Sequence, residues 1–272
     1  MKAIVHMIAH DKTEKRSARN LTVVFFAATL CGSLAMSPAH AQEDDPFAEL
    51  PPPSFGGSQQ NFLDLPVDEP GANNGMEPLA LELPDPYFGG TPLDYKSPNL
   101  EKPNYKPLPP FMVPAGTSNI ASGKPVTSSD ANPMVGDLEF LVDGDTRFEE
   151  ASLLELEAGQ QWIQIDFGAP HTLYALALWH FHEGERVYFD VVIQVADDEA
   201  FTKNVRTVFN NDLDNSSGLG IGEDPEYIES YKSRFVELNG VEARCIRFYS
   251  SGNTTDKFNH YVEAQVFGTS AE

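Results

Sequence analysis

Basic residues are scarce. Only 18 of 272 residues are Lys or Arg, against 41 Asp or Glu, and the formal net charge is −23. Nucleic-acid affinity comes mainly from Lys and Arg set against phosphates, so the balance argues against a nucleic-acid partner. It argues equally against anionic lipid surfaces and strongly anionic polymers. Cysteine is nearly absent, at 2 residues, which excludes a disulfide scaffold. No window of ten or more residues carries a helical stripe of apolar side chains. Enzyme signatures are missing too: no G-x-S-x-G elbow, no H-E-x-x-H, no phosphate loop and no G-x-G-x-x-G opening a helix. Gly218-Leu219-Gly220-Ile221-Gly222 is Gly-rich but does not lie between a strand and a helix. Carboxylates are plentiful, yet none stand out as a glycosidase pair.

Residues 1–41 read as a secretory signal. Lys2, Lys12, Lys15, Arg16 and Arg19 form a basic n-region, Leu21 to Met36 is a mostly apolar run, and Ala39-His40-Ala41 offers a cleavage site. The run has 16 residues, short of the roughly 20 that a membrane helix needs. Export to the periplasm or the cell exterior is therefore expected, with no transmembrane segment after cleavage. Cys245 then remains alone, as a buried small apolar residue.

Residues 42–117 are a different material. They hold 16 of the 21 prolines, with 12 acidic and 3 basic side chains. Proline at that density sustains neither helices nor central strands, so an extended, disordered linker is expected. Aromatic residues recur along it, including Tyr87, Phe88, Tyr95, Tyr105 and Phe111. Two readings stay open: a spacer with sticky points, or a short segment near Tyr87–Phe111 that docks on the domain or on a partner such as an envelope protein.

Residues 118–268 carry the fold, with 269–272 as a short tail. After Thr117 there are 27 acidic and 10 basic residues, a net charge of −17. Period-2 alternation dominates. In Gln161–Gly168, Ile163, Ile165 and Phe167 share one face. Leu173–His182 carries apolar groups on both faces, as a strand buried on both sides would. Val187–Val195 sets Val187, Phe189, Val191, Ile193 and Val195 on one side. Arg206–Asn210, Phe235–Leu238, Arg244–Ser250 and His260–Phe267 follow, separated by turn signals such as Asp166–Pro170 and Asn239-Gly240. Strands in such a series predict an all-β fold, an antiparallel sandwich or jelly roll.

Several pieces, in order, resemble a discoidin or coagulation-factor type C domain, a galactose-binding-like jelly roll. Asn119–Val126 is similar to that family's opening strand, Leu141-Val142-Asp143-Gly144-Asp145 to its Asp-Gly-Asp loop, and Gln161–Gly168 to its most recognisable strand. Arg244–Ser250 and Tyr261–Gly268 resemble its last strands. The resemblance implies a module that binds glycans, proteins or lipid head groups through loops at one end of the sandwich. A carbohydrate or glycoconjugate is the expected ligand; a protein-interaction or adhesion module is the alternative.

Asp143 and Asp145 flank a glycine, and hard oxygen ligands at this spacing suit Ca²⁺. The resemblance implies Glu263, in the final strand, as their partner in a structural calcium site. The other reading is an Asp-Gly turn beside an exposed Glu. Asn210–Gly220 is dense in oxygen-bearing side chains: Asn211 and Asp212 are candidates for sugar hydroxyls, and Asp212, Asp214 and Asn215 for calcium, against a plain loop of turn formers. In His180-Phe181-His182-Glu183-Gly184-Glu185-Arg186 the two imidazoles share a strand face. The cupin metal pattern wants a Glu where Arg186 stands. His180, His182 and Arg186 therefore read as donors to a sugar, with Trp179, Phe181 or Tyr188 as a stacking face, or as a polar strand end. Asn253, Asn259 and His260 are further amide and imidazole candidates between the last strands, against turn chemistry by Asn and Gly.

Overall fold

The computed structural model describes residues 75–87, 94–104, 106–147 and 153–271, all within the compact unit Pro66–Glu272. The signal expected over 1–41 and the proline-rich stretch 42–74 lie outside the described residues. Among the described residues there are eleven strands, one 3-10 turn (Leu138–Val142) and no α-helix. The strands are β1 (Met76–Pro78), β2 (Met112–Pro114), β3 (Ser118–Asn119), β4 (Val126–Ser128), β5 (Leu154–Leu156), β6 (Gln161–Trp179), β7 (Val192–Ala196), β8 (Arg206–Asn210), β9 (Arg234–Ser250), β10 (Asn259–Tyr261) and β11 (Glu263–Ser270). No helix among them is long and apolar enough to cross a membrane.

The fold is an antiparallel jelly-roll sandwich. One seven-stranded sheet runs β3-β11-β6-β9-β7-β8, with β4 also paired to β6, and β5 pairs with β10 in a second ribbon. The long strands β6 and β9 lie antiparallel along most of their length, Gln161 opposite Ser250 and Leu178 opposite Arg234. The turn signals expected to cut them do not. Asp166–Pro170 and Asn239-Gly240 sit at register shifts inside the continuous pair. Gly168, Asn239 and Gly240 have φ of 85°, 51° and 79°. Gly and Asn tolerate this left-handed region, so the residues that favour a turn serve here as bulges that bend the sheet.

Alternation fills the core as expected. Ile163, Ile165, Phe167, Leu176 and Leu178 from β6 meet Ile193, Val195, Ile246, Phe248 and Val266, closed by Leu154, Leu156 and Tyr261 of the small ribbon. The opposite face of β6 is also buried: Ala177 and Trp179 pack with Val262, Leu81, Leu153 and Phe235. Two expected strands are shorter than their patterns. Leu173–His182 ends at Trp179, and Val187–Val195 begins only at Val192, because Asp190 at φ 52° breaks the extended run.

Leu81 belongs to the proline-rich segment, and this is a correction to the expected solvated linker. From residue 75 the segment is extended but docked on the domain. β1 pairs with β2, and the Leu79 amide donates to the Phe111 carbonyl. Phe111 packs edge-on against Phe235 at 5.2 Å. The Lys232 ammonium donates to the carbonyls of Asn104 and Lys106. Asn99 donates to the Asp224 carbonyl at 3.0 Å, and Glu101 pairs with Arg234 at 3.1 Å. Proline lacks an amide but keeps its carbonyl and an apolar ring, so such a chain can edge a domain without joining its main sheet.

Candidate functional site

The register places three loops side by side. Val192, at the start of β7, lies opposite Asn210 at the end of β8 and Tyr249 near the end of β9. The segments 180–191, 211–233 and 251–258 therefore leave the sheet together. They bind one another through the backbone. The Phe189 amide donates to the Gly252 carbonyl at 3.0 Å, Asn211 to Val191 at 3.1 Å, and Glu229 to Arg186 at 2.9 Å.

A cleft of about 350 Å³ opens between these loops, lined in part by Phe189, Asp190, Asn211, Asp214, Ser216 and Glu226. Asn211 is only 3% exposed. Its Oδ1 accepts the Val191 amide at 2.7 Å, which fixes the side-chain amide and leaves Nδ2 buried without a partner. Glu226 accepts a hydrogen bond from the Tyr95 hydroxyl on Oε1, while its Oε2 is buried and unpaired. Burial raises the Asp190 carboxyl above its usual range, and the charges of Asp212, Asp214 and Glu226 push it further. Asp190, Asp212 and Asp214 each bring an oxygen within 4.8 Å of the others. Asp212 is buried and its oxygens are taken by the loop: Ser216 and Ser217 amides donate at 3.1 and 2.9 Å, with both serine hydroxyls alongside. Those donors hold its pKa low despite burial. Asp212 therefore shapes the loop, and Asn211 faces the cleft.

A second cleft of about 560 Å³ adjoins Phe189, between Asp94 and Tyr95 of the proline-rich segment and Glu185, Asn253, Thr254 and Thr255 of the domain. Tyr95 lies 5.7 Å from the Phe189 ring.

The remaining expected ligand contacts are buried inside the loops. His180 is 0% exposed; its Nδ1 is 2.7 Å from Glu229 Oε1, and its ring stacks on Tyr188 at 4.3 Å. His182 donates through Nε2 to the Thr146 carbonyl at 2.9 Å. Arg186 pairs with Asp256 at 3.1 Å and lies over Phe181 at 4.3 Å. His260 bridges Glu155, at 3.0 Å, and the Tyr188 hydroxyl, at 2.9 Å. Asn253 accepts the amides of Thr255 and Asp256, and its amide donates to Asp256 and the Phe258 carbonyl. Asn259 holds Ser250, Gly252, Glu157 and Gly159 together. His180, His182, Asn259 and His260 thus frame the loops instead of facing solvent, Asn253 braces its loop while lining the second cleft, and Trp179 and Tyr188 are too buried to stack on a ligand. The strand expected to carry the histidines has already ended, so they turn into the body. Phe189, Asp190, Glu226 and Tyr95 were not among the expected contacts. Phe189 was hidden in an apolar alternation, and only the polar Asp190 beside it marked the break.

At the Asp-Gly-Asp loop, Gly144 adopts φ 90° and its amide lies 3.3 Å from Glu263 Oε2. Glu263 is 0% exposed and its Oε1 has no partner. Burial pushes its carboxyl up to about 8, with the charges of Asp143 and Asp145 adding to the effect. Asp145 accepts Arg147 at 3.0 and 3.1 Å, which holds its own pKa low. Glu263 thus brings a buried, unpaired oxygen to the loop, while both oxygens of Asp145 are held by Arg147.

No protein-family model matches this chain, and no curated protein does. Solved structures similar to it include carbohydrate-binding modules, and also a family 89 glycoside hydrolase from Clostridium perfringens of which this chain matches 15%. Chitosan-binding module 1 of a chitosanase/glucanase from Paenibacillus sp. IK-5 matches at 19% identity, over 56% of this chain and 99% of that one, with a TM-score of 0.41. A fucose-binding module of Streptococcus pneumoniae matches at 19% identity, over 55% and 96%, with a TM-score of 0.41. A CBM32 module from Clostridium perfringens matches at 23% identity, over 55% and 98%, with a TM-score of 0.40.

Proposed function

We propose that this protein is an exported, non-catalytic carbohydrate-binding module whose recognition site is the cleft between the loops at 180–191, 211–233 and 251–258. The observation that carries the reading is the pair of unsatisfied groups in that cleft, a buried amide donor on Asn211 and a buried carboxylate acceptor on Glu226. A sugar hydroxyl accepts one hydrogen bond and donates another, so neighbouring hydroxyls satisfy both groups at once. Phe189 supplies an aromatic face for ring CH groups. Leaving buried polar groups unpaired costs about 1–3 kcal/mol each, which a bound polyol recovers. The basic, apolar and small-residue order of residues 1–41 supports export.

Asp143, Asp145 and Glu263 are proposed to hold a structural calcium ion. Its double positive charge would stabilise the ionised Glu263 and fix the Asp-Gly-Asp loop.

The test is binding of the full chain to a panel of immobilised neutral, cationic and anionic oligosaccharides. At least one class binds, and Phe189→Ala and Asn211→Ala each weaken it about tenfold, as expected for about 1.4 kcal/mol. A folded chain that retains none of the panel defeats the reading.

A further inference from the structure

The charge around the recognition cleft goes further than the presence of a sugar site. Asp190, Asp214 and Glu226 line the first cleft, and Asp94 and Glu185 the adjoining one, while among the described residues no Lys or Arg lines either. Other carboxylates of the domain have a cation beside them: Asp166 has Arg244 at 2.6 Å and Asp197 has Arg206 at 2.9 Å, and within the loops themselves Asp256 has Arg186 at 3.1 Å. Here Glu226 accepts from the neutral Tyr95 hydroxyl and Asp214 from the Ser216 amide.

Like charges held together in a half-buried cleft repel one another; the Asp190 carboxyl is raised mainly by burial, and the charges of Asp212, Asp214 and Glu226 add to it. A bare divalent cation would relieve the repulsion, but two features disfavour it. Both oxygens of Asp212, one of the three clustered carboxylates, are occupied by serine donors. Asn211 Nδ2, an unpaired group on a residue lining the same cleft, is a donor and offers a bare cation no ligand atom. The cleft therefore asks for a ligand that brings positive charge and a hydrogen-bond acceptor together. A protonated primary amine offers three donors and no acceptor, which suits the carboxylates. A hydroxyl beside it suits Asn211.

We propose that the cleft selects amino sugars, glycans that carry a free protonated amine, over their N-acetylated and acidic counterparts. The inference rests on the carbohydrate-binding reading and names its ligand class. Asp190, Asp214 and Glu226 receive the ammonium group, Asn211 donates to an adjacent hydroxyl, and Phe189 and Tyr95 wall the sugar ring. Tyr95 makes the proline-rich segment part of the site, through its bond to Oε1 of Glu226.

The experiment is calorimetric titration of the full chain with a glucosamine oligomer, the matching N-acetylglucosamine oligomer, an oligouronate and an oligolysine peptide, at low and high salt. The glucosamine oligomer is expected to bind at least about tenfold tighter than the acetylated one, equivalent to about 1.4 kcal/mol. That preference shrinks at high salt, since the carboxylates are partly exposed. Asp214→Asn, an exposed position, and Glu226→Gln each reduce the preference severalfold, and Asp214→Asn leaves the melting temperature unchanged. Equal or tighter binding of the acetylated oligomer or the oligouronate overturns the inference and leaves the carbohydrate reading standing. Equal affinity for oligolysine overturns it as charge attraction alone. Binding of none of the sugars overturns both.

Discussion

His260 illustrates how much of this molecule's polar chemistry is internal. It is buried between Arg186, Glu155, Asp256 and the Tyr188 hydroxyl. Burial and the Arg186 charge lower its pKa, outweighing the pull of Asp256 and Glu155. In the folded chain it stays neutral where the unfolded chain already binds a proton. Stability is therefore intact above the ordinary histidine pKa of about 6.5 and is lost as pH falls below it. Thermal melts between pH 7 and 5 are expected to show this fall, and His260→Gln flattens it while costing about 1–3 kcal/mol at neutral pH through the lost bonds. Cys245 is the opposite case, an inert group. Burial pushes its thiol up to about 12, so a thiol reagent reaches it only on unfolding.

At the scale of elements, the sequence carried the strands better than the loops. Ile163, Ile165 and Phe167 sit in the core as their alternation requires, because a buried face imposes its period directly on the residues. Asn239-Gly240 and Asp166–Pro170 read as turns, since a bulge and a turn call for the same left-handed residues. The cleft was less legible. Asn211 was visible as a polar loop residue, but Glu226 and Tyr95 come together only through tertiary contact, which local patterning does not encode. The two-sided apolar pattern of Leu173–Trp179 required a cover, and composition alone did not reveal that the proline-rich segment provides it. A chain shortened to begin at residue 118 leaves Ala177, Trp179 and Phe235 without Leu81 and Phe111. Fully exposing a large apolar side chain costs about 1.5–3 kcal/mol, so this chain is expected to melt several degrees lower, with red-shifted tryptophan emission. Unchanged melting would mean that the docked segment adds nothing to the fold.

At the scale of the whole molecule, with its net charge of −23, the proposed calcium at the Asp-Gly-Asp loop has a direct readout in stability. Calcium is expected to raise the melting temperature by several degrees at neutral pH, through binding to the native state alone, and a chelator to reverse it. Glu263→Gln removes the effect, because the amide supplies no charge where the buried carboxylate stood. A melting curve indifferent to calcium in the native sequence would rule the site out. The −17 of residues after Thr117 is spread over the domain, so calcium binding at this loop leaves the amine-selective cleft acidic.

The pairing of Gln161 with Ser250 has a consequence for how the chain reaches this state. A polypeptide emerging from its N-terminus presents β6 long before β9 exists to receive it. The central ladder waits until nearly the last residues are free, and contacts so distant in sequence slow the folding reaction. Until then β6 is an unpaired, strongly apolar edge, and refolding yield should fall as protein concentration rises.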